Sequence, residues 1–485
     1  MNDYKALAGQ TLIYGLGSVV PRILNYILLT PFYTRIFTSQ SDYGVHSYLY
    51  AISAFILVIL TFGIETTFFR YAQKDDYKKV YSTAYIFLLA NSILFIFFTY
   101  FFYDTINQWL DIQNKRYVFW FLGIIITDVI STIPLADLRL KNLAKKFAIL
   151  RISNVVINIV LNFIFLLLLP KFNLSFFKNF DLVEYTFISN FLANGITLIF
   201  LIFPIRFSKR DFDYSIFKKM VSYSYPIMIS GILGMINEVA DKVFLKFLLP
   251  KDIDSFKEIG IYTANYKIAA LITIYNTMFR YAFEPFLFKI SGNLNNKEKY
   301  ANITMIYFLS VSIIYVLIIC FIDYVKLFIG SSYHEGLKIV PIVLMANIFF
   351  GLYYTMSVWY KINDKTYFAI IFSLVGAIIT MVLNIILIPI IGYFGAAVAT
   401  LVCYFMMFVL TAYFNQKYYP IEYKFYRMIE IFLSLIGITI FLNGFSFDSI
   451  YLNFALRTII ALLFIFYLYK RNYDITKNLL KNDRD

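Results

Sequence analysis

Apolar residues form long stretches along the chain, separated by short polar connections, and this pattern predicts a bundle of membrane-spanning helices. A helix needs about 20 mostly apolar residues to cross a bilayer. Stretches of that length fall at approximately 11–37, 47–70, 80–103, 117–138, 146–169, 185–206, 220–249, 260–288, 301–323, 337–360, 366–389, 393–415, 426–446 and 449–470. Only the segment NGFSFDS divides the last two. We therefore expect an all-α integral membrane protein with about fourteen transmembrane helices.

The connections between these helices alternate in charge. The even-numbered connections contain basic segments such as KDDYKK, RLKNLAKK and RFSKRDFDYSIFKK, whereas the odd-numbered connections are poorer in Lys and Arg. Basic residues accumulate on the cytoplasmic side of a membrane, so we expect the even-numbered connections and both termini to lie in the cytoplasm. No connection exceeds roughly 16 residues, which leaves no room for a folded extramembrane domain.

A weak internal repeat relates two parts of the chain. The segment DYGV at 42–45 has a counterpart in EIGI at 258–261, and the Leu-Asn pair at 161–162 has one at 383–384. Six helices separate the members of each pair, so the two copies have the same orientation in the membrane, as in parallel-repeat transporters. The repeat predicts two six-helix lobes followed by two further helices and a cytoplasmic tail. The corresponding domains are residues 1–210, 211–418 and 419–485.

The composition agrees with a lipid environment and excludes several function classes. Of 485 residues, 60% are hydrophobic and 15% are charged, and the net charge is +14. That excess of basic residues is concentrated in alternate short connections, so it indicates the orientation of the chain in the membrane. No nucleic-acid-binding motif accompanies it, so we expect no nucleic-acid partner. The two cysteines and two histidines are too few and too dispersed to predict a disulfide framework, a metal site or a histidine-based catalytic triad.

Two arginines within the apolar stretches are candidates for substrate binding. A charged side chain at the bilayer centre costs about 2.5–3.5 kcal/mol even on the insertion scale, so it usually faces a cavity or a partner. Arg22 lies near the middle of the first helix, on one stripe with Tyr14, Ser18 and Asn25. Arg151 lies nearer a helix end, where the side chain could instead reach the headgroups.

Two lysines complete the predicted cationic cavity. Lys242 lies in helix 7, the counterpart of helix 1 in the repeat, and Lys267 lies in helix 8. An alternative for Lys242 is an ion pair with Glu238, four residues earlier on the same helix, that neutralises both groups.

Three acidic residues are candidates for ion coupling: Glu65, Asp128 and Asp241. Asp128 could also pair with Arg22, form a structural ion pair or carry a proton. Glu65 lies about one turn from the cytoplasmic end of helix 2, where a structural carboxylate would also be expected. We expect no cofactor. Coupling to a proton or sodium gradient is left open by the residues alone.

The segments YTRIFTSQSDYGVHSY and FGIETTFFRYA resemble the opening of the polysaccharide transporters, the Wzx-type O-antigen and repeat-unit flippases of the MOP exporter superfamily. The segment ADKVFLKFLLPKDIDSFKEIGIYTANYKI is similar to their seventh and eighth helices. The resemblance covers about residues 10–415. It implies a fold like that of the multidrug and toxin extruders (MATE), in which two six-helix lobes enclose a central cavity.

The resemblance also implies a function. Such a flippase moves polyprenyl-diphosphate-linked oligosaccharide from the cytoplasmic to the outer leaflet of the bacterial inner membrane, for biosynthesis of surface polysaccharide such as the O-antigen of lipopolysaccharide. Its partners are membrane lipid, the lipid-linked cargo and the polysaccharide polymerase machinery. A cavity with Arg and Lys fits a diphosphate, because these side chains replace its hydration with charge-assisted hydrogen bonds.

Three alternative functions are weighed against this flippase, two of them transporters and one an enzyme. A MATE-like multidrug or cation exporter should line its cavity with acidic and aromatic residues, and the basic residues above argue against that. A lipid II-type flippase shares the expected architecture. A membrane-embedded glycan polymerase or ligase needs catalytic residues in a sizeable surface loop, and the short connections and internal repeat favour a transporter over an enzyme.

Overall fold

A computed structural model describes residues 17, 19–172, 180–202, 211–290, 296–363, 365–445 and 447–473. Within these residues every regular element is a helix. The first helix, α1, contains residues 19–24, a π-helical turn at Asn25–Leu29 and an α-helical segment at Thr30–Ile36. The next eight are α2 (Gln40–Thr61), α3 (Ile64–Tyr71), α4 (Tyr77–Phe101), α5 (Tyr103–Leu110), α6 (Tyr117–Leu140), α7 (Ala144–Phe163), α8 (Leu182–Ile202) and α9 (Tyr214–Leu248).

The remaining long helices continue the bundle. They are α10 (Ser255–Ile290), α11 (Asn296–Cys320), α12 (Val340–Met356), α13 (Tyr367–Ile391), α14 (Tyr393–Tyr418), α15 (Phe425–Gly444) and α16 (Ile450–Arg471). Eleven helical segments among the described residues are long and apolar enough to cross a membrane. The other three predicted spans correspond to α1, whose start lies outside the described residues, and to α9 and α10, which are 35 and 36 residues long and more charged. The prediction of an all-α, multi-pass membrane protein is confirmed.

The helices group into two compact units, Met1–Gly260 (unit 1) and Ile261–Asp485 (unit 2). Within unit 1, α9 packs against α2, α3 and α4. A core of buried apolar residues from α3, α4, α6 and α9 joins these helices, and it includes Phe68, Leu88, Val129 and Met220. The predicted lobes, 1–210 and 211–418, follow from the internal repeat, whereas units 1 and 2 are defined by their compactness. The division into lobes therefore stays a prediction.

Local sequence explains where α1 and α2 change direction. Pro31 in α1 has no N–H to donate to the carbonyl of Ile27, and its ring would clash with that carbonyl in a regular α-helix. The π-helical turn directly before it widens the helix and relieves the clash. At the end of α2, Phe62 and Gly63 are both left-handed, with φ of 55° and 68°. The helix therefore breaks there and restarts as α3.

The glycines of the internal repeat meet where α2 and α10 begin. Ser39 and Asp42 start α2 with a capping box, in which each side chain accepts the backbone N–H of the other. A Cβ added to Gly44 would clash with the carbonyl of Phe256, and one added to Gly260 would clash with the carbonyl of Gln40. Each such Cβ would also lie 3.1 Å from the backbone nitrogen of the other glycine. The two repeat segments thus pack backbone against backbone within unit 1.

Candidate functional site

A hydrogen-bonded polar network crosses the apolar interior of unit 1 between α6, α7 and α8. The side-chain amide of Asn194 donates to Asp128 Oδ1 at 2.9 Å. The amide of Asn154 donates to Asn194 Oδ1 at 3.0 Å and to Thr197 Oγ1 at 3.1 Å. Arg151 lies one turn before Asn154 on α7, and its charge acts on Asp128. A predicted ion-coupling residue and a predicted substrate-binding residue therefore belong to one cluster.

Helices α1 and α7 run side by side in the same direction. Gly17 packs so closely on α7 that an added Cβ would lie 2.9 Å from Cβ of Ala148. Further along both helices, the hydroxyl of Tyr33 donates to Asn162 Oδ1 at 2.9 Å. These two contacts fix how α1 is aligned with α7.

This alignment brings two predicted cations to similar depths. The π-helical turn lies between Arg22 and Tyr33, so the depth is counted from the Gly17–Ala148 contact. Arg22 lies five residues beyond Gly17 and Arg151 three residues beyond Ala148, a difference of about 3 Å at about 1.5 Å per residue. Both are exposed, and no contact among the described residues engages the Arg22 guanidinium. Tyr14 and Ser18, which share its predicted stripe, lie outside the described residues.

Lys242 and Asp241, predicted for substrate binding and for ion coupling, form one ion pair on α9. Lys242 Nζ lies 3.0 Å from Asp241 Oδ1, and the backbone N–H of Lys242 donates to the same oxygen at 2.8 Å. Both residues are buried, at 9% and 4% exposure. Removing one partner of such a pair leaves a buried uncompensated charge, which costs about 3–5 kcal/mol. Lys242 therefore has a structural role whatever its role in binding.

Glu65 forms an ion pair with Arg139. Glu65 lies in the first turn of α3, directly after the left-handed break, and Arg139 lies in the last turn of α6. The Arg139 guanidinium also lies over the ring of Phe69, 4.8 Å from its centroid. The pair joins the ends of two helices on the side of unit 1 that the basic connections predict to be cytoplasmic.

The same side of unit 1 holds two ion pairs between the region where α4 begins and the region where α9 begins. Lys79 lies 3.5 Å from Asp213, and Lys219 lies 3.9 Å from Asp75. Asp213 also begins α9 by accepting the backbone N–H groups of Ser215 and Ile216. The hydrogen bond from Ile216, followed by that from Ser215 and the charge of Lys79, lowers the pKa of Asp213.

The fourth predicted cation, Lys267, lies in unit 2 and is half-buried on α10. About two turns further along α10 is a second polar network. Thr273 donates to Asn347 Oδ1 at 2.9 Å, Asn276 donates to the carbonyl of Asn347 at 2.9 Å, and Tyr307 donates to Asn276 Oδ1 at 2.6 Å. This network adjoins a small cavity of about 50 Å³ that Arg280 also lines.

Sequence reasoning missed the α8 side of the unit 1 network. Asn190, Asn194 and Thr197 are spaced by four and three residues on an otherwise apolar helix, the same signal that identified the stripes of α1 and α7. It also missed Glu184 in the first turn of α8, which is fully buried and accepts from Arg116 at 2.8 Å and from the Trp120 indole at 2.8 Å. The partners of Glu184 lie on α6 and in the connection that precedes α6. The positions of polar residues along α8 therefore did not identify Glu184 in the sequence.

We call Arg22, Arg151 and Asp128 the cationic cluster: Arg151 lies one turn before the network that holds Asp128, and Arg22 lies at a similar depth on the neighbouring helix α1. It combines two guanidinium groups with a hydrogen-bonded carboxylate. Guanidinium groups bind phosphate oxygens in a bidentate manner, and the carboxylate is a group that can exchange a proton or bind a monovalent cation. Among the described residues, no group of three or more His, Cys, Asp or Glu side chains is arranged to hold a metal ion. The arrangement offers groups that can bind an anion.

Residues 7–291 match the family of polysaccharide biosynthesis proteins. A comparison with curated protein sequences finds no match. Among solved structures, the chain is similar to the lipid II flippase MurJ in an inward closed conformation, with a TM-score of 0.73 and 16% identity over 96% of this chain and 100% of that one. It is also similar to MATE-family multidrug resistance transporters of the MOP superfamily, in an inward-facing conformation (TM-score 0.62, 13% identity, 87% of this chain and 96% of that one) and in an outward-facing one (TM-score 0.58, 14% identity, 88% and 96%). At these identities the likeness establishes the fold, which agrees with the MATE-like expectation.

Proposed function

The chain belongs to the polysaccharide biosynthesis protein family, and from that premise we propose that it is a flippase for polyprenyl-diphosphate-linked oligosaccharide repeat units. The single observation that carries the proposal is the similar depth of Arg22 and Arg151 on neighbouring parallel helices. Two exposed guanidinium groups placed in this way repel each other, and an anion between them relieves the repulsion. A diphosphate offers several acceptor oxygens to both groups, which offsets the cost of placing them in the membrane.

The cargo would cross by alternating access. The sugar and diphosphate pass through the protein while the polyprenyl tail stays in the bilayer. Asp128, held by Asn194 beside Arg151, is the group we propose for coupling to a proton or sodium gradient. The carboxylate of Asp128 competes with the cargo's phosphate for the same arginines. Binding of the phosphate to the arginines therefore weakens their interaction with the carboxylate, and the reverse also holds.

We place the protein in the bacterial inner membrane with both termini in the cytoplasm, as the basic connections predict. There it acts as a transporter and not as an enzyme, beside the polymerase that would receive the flipped repeat unit. Reporter tags at both termini should give cytoplasmic signals, and tags in the connection near Asp254 should give an external signal. A cytoplasmic signal near Asp254 would contradict this orientation.

The function is tested by reconstitution. Protein in liposomes should make a fluorescent lipid-linked oligosaccharide, purified from the cell that encodes the chain, accessible to a membrane-impermeant reagent. Arg22→Ala should abolish this exposure at normal protein level. Arg22→Lys should retain part of it, because an ammonium group cannot reproduce the planar fork of a guanidinium. Arg70→Ala is the matched control, since Arg70 is also exposed but lies over the ring of Tyr223, away from the cluster.

A structural role for Arg22 predicts a different result. In that case Arg22→Ala should lower the amount of protein in the membrane, and Asp128→Asn should restore it. Normal flipping by Arg22→Ala protein at normal abundance would overturn the proposal. Export of cationic dyes by the same liposomes, without exposure of the lipid-linked oligosaccharide, would instead indicate a MATE-like exporter.

A further inference from the structure

Unit 1 contains a large open cleft of about 1540 Å³ at one end of its helices. Its lining comes from four separate connections, those that follow α1, α5, α7 and α9, together with the helix ends beside them. These are the connections that are poor in basic residues, so the cleft lies on the face that the sequence predicts to be external. We call it the outer cleft. It is separate from the cluster of Arg22, Arg151 and Asp128.

The charge of the outer cleft disfavours a phosphate ligand. Among the described residues its lining contains four carboxylates and two ammonium groups, those of Lys246 and Lys251. Lys246 is already paired with Asp111 at 2.8 Å. An added diphosphate would therefore meet net repulsion in the outer cleft, in contrast to the cationic cluster.

A bound cation is not required either, because the carboxylates have protein donors. Asp42 accepts from Thr38 at 2.8 Å, and Asp254 accepts from Ser41 at 2.6 Å. Asp181 accepts from Tyr117 at 2.8 Å. Each of these carboxylates keeps lone pairs for further donors such as hydroxyl groups. The outer cleft is thus polar and rich in acceptors, and these carboxylates are already held by protein donors.

Exposed aromatic rings and amide side chains complete the lining. Trp109 and Phe247 are 53% and 46% exposed, and their ring centroids lie 5.3 Å apart with the planes tilted by 36°. Gln108, Gln113 and Asn114 line the same cleft. A pyranose ring has an apolar C–H face and an edge of hydroxyl groups. An aromatic surface packs on the C–H face, and amides and carboxylates bind the hydroxyl groups.

Trp109 also marks a boundary between polar and apolar surfaces. Its ring lines an apolar groove of about 420 Å³, to which Phe98, Phe102 and Leu122 also contribute. A ligand that carries sugars on a hydrocarbon chain could therefore place its sugars in the outer cleft and keep the chain in the adjoining apolar groove. A saccharide without a lipid would occupy the cleft alone.

We propose that the outer cleft is a saccharide-binding site that receives the sugar part of the lipid-linked cargo after translocation, with Trp109 as its stacking surface. This rests on the proposed function for the identity of the cargo. The site binds neutral sugar through aromatic and acceptor groups, whereas the cationic cluster binds the diphosphate. The two ends of the transport path thus recognise two different parts of one molecule.

The test measures saccharide binding directly. The probe is the repeat-unit oligosaccharide released by mild acid from the lipid-linked fraction of the cell that encodes the chain, and the protein is the full chain in lipid nanodiscs. Equilibrium dialysis with the labelled probe should show saturable binding. Trp109→Ala should weaken binding by about tenfold, the effect expected from one lost stacking contact, and Trp109→Phe should weaken it less. Phe119→Ala is the matched control, because Phe119 is 54% exposed but does not line the cleft.

The outcomes separate this inference from the proposed function. Absence of saturable binding, or equal loss in Trp109→Ala and Phe119→Ala, overturns the saccharide site even if the reconstituted protein flips the lipid-linked cargo. Saturable, Trp109-dependent binding without any flipping supports the site and contradicts the proposed function. Binding of the lipid-linked form more than tenfold tighter than the released form would show that the apolar groove contributes, whereas equal binding would assign the site to free saccharide.

Discussion

Unit 1 and unit 2 each contain a polar network between apolar helices, and the two networks differ in charge. In unit 1 the network includes the carboxylate of Asp128, and Arg151 lies one turn before Asn154, another member of the network. In unit 2 the network of Thr273, Asn276, Asn347 and Tyr307 consists of neutral groups.

Two cations of unit 2 lie over the same aromatic ring. Arg280 lies 5.6 Å and Lys361 4.0 Å from the centroid of the Tyr354 ring. A cation over an aromatic face is partly compensated, whereas the Arg22 guanidinium has no contact among the described residues. A neutral network holds helices together, and a charged one can also exchange an ion or a ligand. We therefore expect unit 1 to carry the binding and coupling chemistry and the unit 2 network to be structural.

The largest effect should come from removing both exposed arginines of the cluster. The Arg22→Ala/Arg151→Ala double variant should lower flipping by a hundredfold or more, since each charge-assisted hydrogen bond contributes about 1.5–3 kcal/mol. Arg280→Ala in unit 2 should lower it by less than about threefold. The rate of exposure of lipid-linked oligosaccharide in liposomes measures both. An equal loss in the unit 2 variant would break the proposed contrast.

The next largest effect should come from placing a carboxylate in the unit 2 network and an amide in the unit 1 network. Asn347 is 2% exposed and donates to the carbonyl of Val343. Asn347→Asp removes that donor and buries a charge, so we expect it to lower the free energy of unfolding by about 3 kcal/mol. Asp128→Asn keeps a hydrogen-bond acceptor for Asn194 and should leave stability within about 0.5 kcal/mol while impairing flipping. Thermal unfolding in detergent, combined with the liposome assay, distinguishes the two. A stable Asn347→Asp protein would show that unit 2 tolerates charge.

A smaller effect tests the packing of the neutral network alone. A Cβ at Gly351 would overlap the Tyr307 hydroxyl and lie 2.9 Å from Asn276 Oδ1. Gly351→Ala should therefore destabilise the protein by about 1–2 kcal/mol, because overpacking outweighs the better helix propensity of alanine. Gly437→Ala in α15 has nothing within 4 Å of the new Cβ and should be neutral or slightly stabilising. Equal melting temperatures for the two variants would mean that the network adjusts freely.

The smallest effect is a pH dependence at the predicted cytoplasmic side of unit 1. The folded-state pKa of Asp213 is lowered, first by the hydrogen bond from Ile216. Its contribution to stability is therefore fully present above the unfolded-state pKa and is lost as the pH falls through the folded-state pKa. Asp213→Asn should lower the melting temperature at neutral pH, and the difference from the unsubstituted chain should vanish in acid. Asp211→Asn controls for the change in net charge. A pH-independent difference would assign the effect to packing.

The sequence predicted the helices well because each depends on local information. Runs of about 20 apolar residues are sufficient to identify a span, and the described helices correspond to the predicted ones. The partners of polar residues were harder to predict. Lys242 was considered with Glu238, one turn away, but its described ion pair is with the adjacent Asp241.

Contacts between helices explain most of what the sequence could not show. The Tyr33–Asn162 hydrogen bond spans 129 positions, and the Asn194–Asp128 bond spans 66. No periodicity on a single helix encodes which helix lies beside it. The similar depth of Arg22 and Arg151 follows from such contacts and could not be obtained from either stripe alone.

The meeting of Gly44 and Gly260 has a consequence for how the two halves of the gene can diverge. After a duplication, each copy normally accumulates substitutions independently, and a harmful change in one is often corrected by a smaller residue in the other. That correction is not available here, because both residues already lack a side chain and each faces the other's backbone. The harmful effect of a larger residue at either position can be suppressed only by changes that move a whole helix. We therefore expect second-site suppressors of Gly44→Ala to map to residues that set the position of α10, and not to position 260.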